Sequence, residues 1–280
     1  MARDPVYVYV CWGRSPQPPR ELRYSIETLL PEIGGDASRV AIFTDRPENF
    51  RDLPFAVFDV AADIASGSAA GRFHLRAKPL VLARALRLYR CPCVLLDTDS
   101  FVRAGFDATV SAALEAGAGM NLFEHTDPYP DFGPFETDLP GLGRYVLDSK
   151  QSRMFNSGLV AARPEHAPLL DDALVLTDRL WSAGLKRHTV EQFAFCECFR
   201  LAGVPIQPIH RDFEHYCPRW SKRYMRRKLR ARATSADAPI PFSKTRVRLF
   251  KNLWLLRIWW RRLRRRIFAR GPKVPVSASL

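Results

Sequence analysis

The sequence predicts an α/β fold, a mixed but mostly parallel sheet flanked by helices, with a basic amphipathic C-terminal extension. Three observations carry this expectation. Short apolar runs rich in β-branched and aromatic residues alternate with helix-length segments, as in sheets whose strands are joined by crossover helices. The runs VYVYV at 6–10 and VLL at 94–96 lack a polar face, as strands buried on both sides do. Charge also divides the chain: residues 1–218 carry 23 Lys and Arg against 28 Asp and Glu, while residues 219–280 carry 20 against the single acid Asp237.

In chain order, strands are expected at 6–10, 40–43, 55–60, 94–96, 120–123, 158–161 and 206–209. Helical spacing or composition marks 20–30, 77–88, 107–116, 168–183 and 190–202. Residues 124–144 (EHTDPYPDFGPFETDLPGLGR) have no periodicity and are expected to form a long loop, a lid or a second-substrate surface. The run RRKLRARATSADAPIPFSK reads as a boundary, giving a globular domain at 1–218, a basic linker at 219–244 and a basic tail at 245–280. No stretch reaches the roughly 18 uninterrupted apolar residues of a membrane-spanning helix, because Arg257 and Arg261 cut the tail. The opening MARDPVYVYVCWG lacks a leader pattern, so cytoplasmic residence is expected. The six cysteines include Cys91-x-Cys93 and Cys196-x-Cys198 but no C-x-x-C, and are expected to be reduced and mostly buried.

Ligands of such sheets bind beyond the carboxyl ends of the strands, which directs attention to the residues after each run. CPCVLLDTDSFV places Asp97 and Asp99 where an apolar strand ends. Side chains alternate along extended backbone, so the two carboxylates are expected on one face, with Thr98 opposite. Hard oxygen ligands suit Mg²⁺ or Mn²⁺; the plainer alternative is a capped turn whose aspartates face water. In RMFNSGLVAARP, Asn156, Ser157 and Gly158 precede another strand: the amide could meet a hydroxyl and the glycine could let backbone approach a ligand, or the triplet is a common strand entry. Glu191 and Gln192 open the helix FAFCECFRL, where an acid also serves simply as a helix starter.

Taken in order, LLDTDSFV, then FNSGLVAARP about 60 residues later, then Glu-Gln at a helix start, the chain resembles GT-A-fold glycosyltransferases, in particular the bacterial lipooligosaccharide galactosyltransferases and glycogenin-like relatives of family 8. YVYVCWG, IFTDRP and RAKPLVLARAL agree with that pattern, and the likeness spans residues 6–216. The resemblance implies a Rossmann-like GT-A fold, a UDP-sugar donor, and Mn²⁺ or Mg²⁺ on Asp97 and Asp99. It further implies sugar recognition by Asn156 with Ser157 and Gly158, Gln192 at the reacting face beside Glu191, and Lys78, Arg76, Thr44 and Asp45 near the donor. The family's Asp-Gln-Asp triplet stands here as Glu191-Gln192-Phe193, which leaves the donor sugar open. For its third metal ligand, a histidine, His215 in FEHYCPRW is the candidate and His210 competes. The implied reaction is transfer of a sugar to a glycan or glycolipid with retention, since an amide is too weak a nucleophile to favour a covalent intermediate.

In the tail, Leu249, Leu253, Leu256, Trp260, Leu263 and Ile267 recur at spacings of four and three, flanked by arginines, with Trp254 and Trp259 near the boundary. That is the composition of an interfacial helix on an anionic membrane, expected at the inner face of the cell membrane. Packing on the domain, a dimer seam or nucleic acid are the alternatives, nucleic acid being disfavoured by the tryptophans and the continuous stripe. Two other functions compete for the whole chain. Asp97-Thr98-Asp99 after a strand also fits a phosphatase of the haloacid dehalogenase type, although Phe101 and the pair's position deep in the chain do not. A non-enzymatic membrane or RNA adaptor would account for the tail and leave the site motifs as accidents.

Overall fold

The structure is a computed structural model that describes residues 3–13, 20–65, 76–148, 150–232 and 239–268. It divides into two compact units, Met1–His215 and Tyr216–Leu280.

The first unit is built on a seven-stranded sheet. Strands β1 (Val6–Cys11), β2 (Val40–Thr44), β3 (Ala56–Asp59) and β4 (Cys93–Leu96) form its parallel half. β5 (Ser100–Val102) lies outside it, β6 (Ala118–Met120), β11 (Leu159–Ala162) and β12 (Ile206–Pro208) complete it, and the order is β12-β6-β11-β4-β1-β2-β3. Only β11 runs against its neighbours. The expected fold class, a mixed and mostly parallel sheet flanked by helices, is therefore observed.

Alternation explains the layering. Along β1, Val6, Val8 and Val10 enter one apolar core, while Tyr7, Tyr9 and Cys11 enter the other. Helices α1 (Arg20–Leu29) and α4 (Phe106–Ala116) cover the tyrosine face with Leu22, Ile26, Phe106 and Val110. The opposite face is covered by α3 (Ala77–Tyr89), α5 (Ala167–Ser182) and α6 (Val190–Leu201), through residues such as Val81, Leu176 and Phe195; the short α2 (Ala61–Ala65) lies between β3 and α3 in sequence. α3 ends on Arg90, which adopts the left-handed conformation at φ 51° and donates its N–H to the Leu86 carbonyl; Pro92 follows. All six cysteines are unpaired, five of them buried and Cys217 exposed.

Three expectations are corrected. The single strand expected at 120–123 is two, β6 and β7 (Phe123–Thr126), and β7 pairs with β10 (Arg153–Phe155) away from the main sheet. Both chains leave the sheet at the same level, where Asn121 Nδ2 donates to Asn156 Oδ1 at 3.1 Å. Next, the segment 124–144 is not one loop: β8 (Glu136–Leu139) and β9 (Gly143–Val146) form an antiparallel hairpin within and just beyond it. Strands of three or four residues broken by Pro and Gly leave too few alternations to read. Finally, β13 (Phe213–His215) pairs antiparallel with β5, a link across more than a hundred residues that no local pattern announces.

In the second unit, the segment expected as a linker contains helix α7 (Arg219–Ala231), followed by α8 (Lys244–Phe268). Tyr224, Met225 and Leu229 of α7 are buried, and the Tyr224 hydroxyl donates to the Pro241 carbonyl at 2.7 Å. Tyr224 meets Phe242 and Phe250 edge-on, and Phe250 meets Trp254, so this unit has a small aromatic core of its own. Dense charge hid this helix from a reading based on apolar spacing. In α8, Leu249, Leu253, Leu256 and Trp260 are all more than half exposed. The side chains of Leu263 and Ile267, also assigned to that stripe, lie outside the described residues. No described helix is long and apolar enough to cross a membrane.

Candidate active site

β1, β2 and β4 are parallel, so their carboxyl ends share one edge of the sheet. Asp97, Thr98 and Asp99 occupy the turn from β4 to β5 rather than continuing an extended strand. It is the turn, together with the β5–β13 pairing, that groups the carboxylates. In that register His215 sits opposite Ser100, next to Asp99 in the chain. One ligand atom each from Asp97, Asp99 and His215 lies within 4.8 Å of the others. His215 Nε2 is 3.4 Å from Asp97 Oδ2 and 3.6 Å from Asp99 Oδ1. His210, the competing candidate, is exposed.

Asn156 determines how the imidazole is presented. Its Nδ2 donates to Glu124 Oε1 at 2.8 Å, which leaves Oδ1 as the acceptor for Gly158 N at 2.9 Å and Asn121 Nδ2 at 3.1 Å. His215 Nδ1 is 2.9 Å from the same oxygen. An oxygen acceptor requires Nδ1 to carry the proton, so in the neutral ring the Nε2 lone pair faces the two carboxylates. Three electron-rich groups converging in this way suit a cation between them. A histidine whose far nitrogen is anchored by an amide or carboxyl oxygen is also how proteins orient metal-binding imidazoles. The donor set, two carboxylates and one imidazole, could hold a divalent cation.

Gly158 serves this arrangement differently from the expected backbone approach to a ligand. A Cβ at that position would lie 2.2 Å from Nδ1 and 2.7 Å from Cγ and Cε1 of His215, so the absent side chain is the space the ring occupies. Its carbonyl accepts the Asp97 N–H at 2.9 Å, continuing the β4–β11 ladder to the first carboxylate.

A second layer lies beneath. Lys78, near the start of α3, is buried and reaches Asp97 Oδ1 at 2.8 Å and Oδ2 at 2.9 Å, as well as the Ser157 carbonyl at 3.2 Å. Burial alone would depress its ammonium, but Asp97 and then Glu191 outweigh that and hold it above the usual lysine value. Glu191 is only 2% exposed, with Oε1 accepting from Ser157 Oγ at 3.0 Å and lying 3.9 Å from Lys78 Nζ. Burial pushes its carboxyl up to about 7, against the opposing pull of Lys78 and Ser157. Gln192 is committed at both ends of its amide: Oε1 accepts from Ser157 N at 3.1 Å and Nε2 donates to Glu124 Oε2 at 2.6 Å.

Of the expected site residues, Asp97, Asp99, His215, Lys78, Asn156, Ser157, Gly158, Glu191 and Gln192 form one connected cluster. Arg76 does not join it through any of these bonds, because both of its forks are taken by Asp178 at 2.8 and 2.7 Å. Thr44 is buried at the end of β2, where its hydroxyl accepts from Arg46 N at 3.1 Å; Asp45 next to it accepts from Gly13 N at 3.3 Å. They lie at the same strand-end edge, and the bonds named here tie them to Arg46 and Gly13 and not to the cluster. Glu124 was missed: it grips Asn156 with one oxygen and Gln192 with the other. Its only sequence signal was its place at the start of the segment following an apolar run.

No family model and no curated protein matches this chain. Among solved structures it is similar to the PaToxG glycosyltransferase, at 10% identity and a TM-score of 0.42, over 81% of this chain and 75% of that one. It is similar also to the galactosyltransferase LgtC in complex with donor and acceptor sugar analogues, at 11% identity and a TM-score of 0.47, over 84% of this chain and 97% of that one.

Proposed function

We propose that this protein is a glycosyltransferase that moves a sugar from a nucleotide-sugar donor, a UDP-sugar, to a glycan or lipid-linked acceptor, using Mn²⁺ or Mg²⁺ held by Asp97, Asp99 and His215. One observation carries the reading: the Asn156-oriented imidazole and the two carboxylates converge at the strand-end edge where α/β sheets bind ligands. A divalent ion bound there would neutralise charge developing on a departing diphosphate. The chain's own residues do the remaining work. Asp97 is held by the Lys78 ammonium, and buried Ser157, Glu191 and Gln192 form, with half-buried Asn156, a polar wall that fixes the orientation of its members. Glu191, with its carboxyl near 7, can hold or release a proton at neutral pH. Because Gln192 is an amide and Glu191 is tied to Ser157 and lies beside Lys78, the site favours front-face return of the acceptor oxygen, with retention, over a covalent sugar intermediate. The phosphatase alternative gains nothing from this geometry, in which both aspartates converge with an imidazole instead of dividing into nucleophile and acid.

The test is thermal unfolding with UDP, with and without Mn²⁺, followed by a screen of UDP-sugars for metal-dependent UDP release. A ligand at one hundred times its dissociation constant stabilises by about 2.7 kcal/mol. Absence of any nucleotide-dependent shift would sink the transferase reading.

A further inference from the structure

Helix α7 falls in the segment expected as linker, yet its charge is organised. Arg219, Lys222, Arg223, Arg226, Arg227 and Arg230 follow spacings of three, one, three, one and three, which puts six cations on one helical face. The same six residues line a groove of about 530 Å³ whose other wall is Phe250 and Trp254 of α8. That volume lies in the range of roughly 300–1,000 Å³ typical of ligand sites. The Arg223 guanidinium lies 3.9 Å from the Trp254 ring centre, and Arg227 lies 5.9 Å from that of Phe250, so aromatic faces set the direction of two of the cations.

Such a face costs stability by itself. Arg219 and Arg223, Lys222 and Arg226, Arg223 and Arg227, and Arg226 and Arg230 are like charges one turn apart, and each such pair disfavours the helix. Asp237 is the single acid between Tyr216 and Leu280, so this unit carries a large excess of positive charge. An external polyanion relieves the repulsion. The neighbouring helix identifies which kind: Leu249, Leu253, Leu256, Trp259 and Trp260 of α8 are 54–60% exposed, so the surface beside the cations is apolar and rich in tryptophan. A free polyanion or RNA would leave that apolar surface in water, whereas a bilayer accepts both.

We infer that the α7–α8 groove is a binding site for the phosphate headgroups of an anionic phospholipid bilayer, with α7 supplying the cations and α8 the apolar contact. This moves the main electrostatic contact from the tail alone to a helix before it, and it holds whether or not the first unit transfers sugar. The test uses the full chain, without nucleotide sugar, in co-sedimentation with vesicles of phosphatidylcholine alone or mixed with phosphatidylglycerol. Binding is expected only with phosphatidylglycerol, and to weaken with added salt. Neutralising Arg223, Arg227 and Arg230 together to Gln removes three surface cations and is expected to weaken binding about 100-fold, from roughly 1 kcal/mol per residue. Should that variant fail to fold, hydrogen exchange on the unmodified protein reads the same point: phosphatidylglycerol vesicles are expected to protect amides of Arg219–Ala231. Equal binding to neutral vesicles overturns the inference, as do protection confined to α8, a triple variant that binds like the parent, or RNA that displaces the vesicles at equal salt.

Discussion

Replacing Gly158 by alanine isolates one steric relation on which the metal reading depends. The backbone of Gly158 is outside the left-handed region, so alanine meets no conformational penalty there, and the whole effect comes from what its Cβ strikes. The three nearest atoms all belong to His215, the closest being Nδ1 at 2.2 Å. Restoring an ordinary contact of 3.4 Å requires the ring to retreat by about 1.2 Å. That retreat would stretch the 2.9 Å contact to Asn156 beyond hydrogen-bond length and carry Nε2 away from the carboxylates. Overpacking of this kind costs about 1–3 kcal/mol of stability. Disturbing an oriented metal ligand costs about 10–100-fold in affinity. The assay is a double-mutant cycle of Gly158→Ala and His215→Ala, read by thermal unfolding and by calorimetric Mn²⁺ titration. Once His215 is alanine the struck atoms are gone, so Gly158→Ala should then be close to neutral, with a coupling of about 1–3 kcal/mol. Additive effects, or unchanged Mn²⁺ affinity in Gly158→Ala, would refute the placement of His215.

Three further outcomes follow from the same geometry. Glu191 has a folded-state carboxyl value near 7, above its ordinary 4.5, so the stability it contributes is full below 4.5 and is lost as pH rises from there through 7; Glu191→Gln should therefore gain stability over the parent at pH 8, by at most about 3 kcal/mol, and not at about pH 3.5, below the unfolded value, as chemical denaturation at the two pH values would show. Glu124→Gln sets an amide N–H₂ against either Asn156 or Gln192, and should lower Mn²⁺ affinity about 10-fold without unfolding the domain; ion-binding calorimetry beside circular dichroism separates the two effects, and an unchanged affinity would remove Glu124 from the site. Arg76→Ala should cost about 1 kcal/mol of stability or less, because Asp178, with its side chain 34% exposed, can turn to water, while leaving KM for the donor unchanged, whereas a raised KM would restore the donor role expected from the sequence.

How much of this was legible depended on the range of the interactions. Strands buried on both faces announce themselves locally, and β1, β2 and β4 lie within a residue or two of their expected bounds. The same holds for α3, α5 and α6, whose apolar residues recur over three turns or more. Asp97 and Asp99 were legible because a buried strand feeds directly into them. The β5–β13 pair was not, since three residues of each carry no period, and without that pair nothing in the sequence separates His215 from His210. Glu124 stayed invisible for a related reason: its carboxylate acts on Asn156 and Gln192, 32 and 68 residues away in the chain. Helix α7 was hidden by its own charge.

The links among these residues explain why the unreadable part matters most. Lys78 offsets charge on Asp97 but also sits beside Glu191, and both are tied to Ser157. Ser157 N holds Gln192, Gln192 holds Glu124, and Glu124 fixes which way Asn156 faces. Asn156 in turn decides which imidazole nitrogen His215 presents to the carboxylates. Reversal of the Asn156 amide would set N–H₂ against Gly158 N and Asn121 Nδ2 and oxygen against Glu124, losing at least two bonds at once. A buried polar group left without its partner costs about 1–3 kcal/mol. At the lower end of that range for each lost bond, two losses already bias the amide about 30-fold toward the observed orientation. The direction of the His215 lone pair is thus set, through Asn156, by the Glu124 carboxylate.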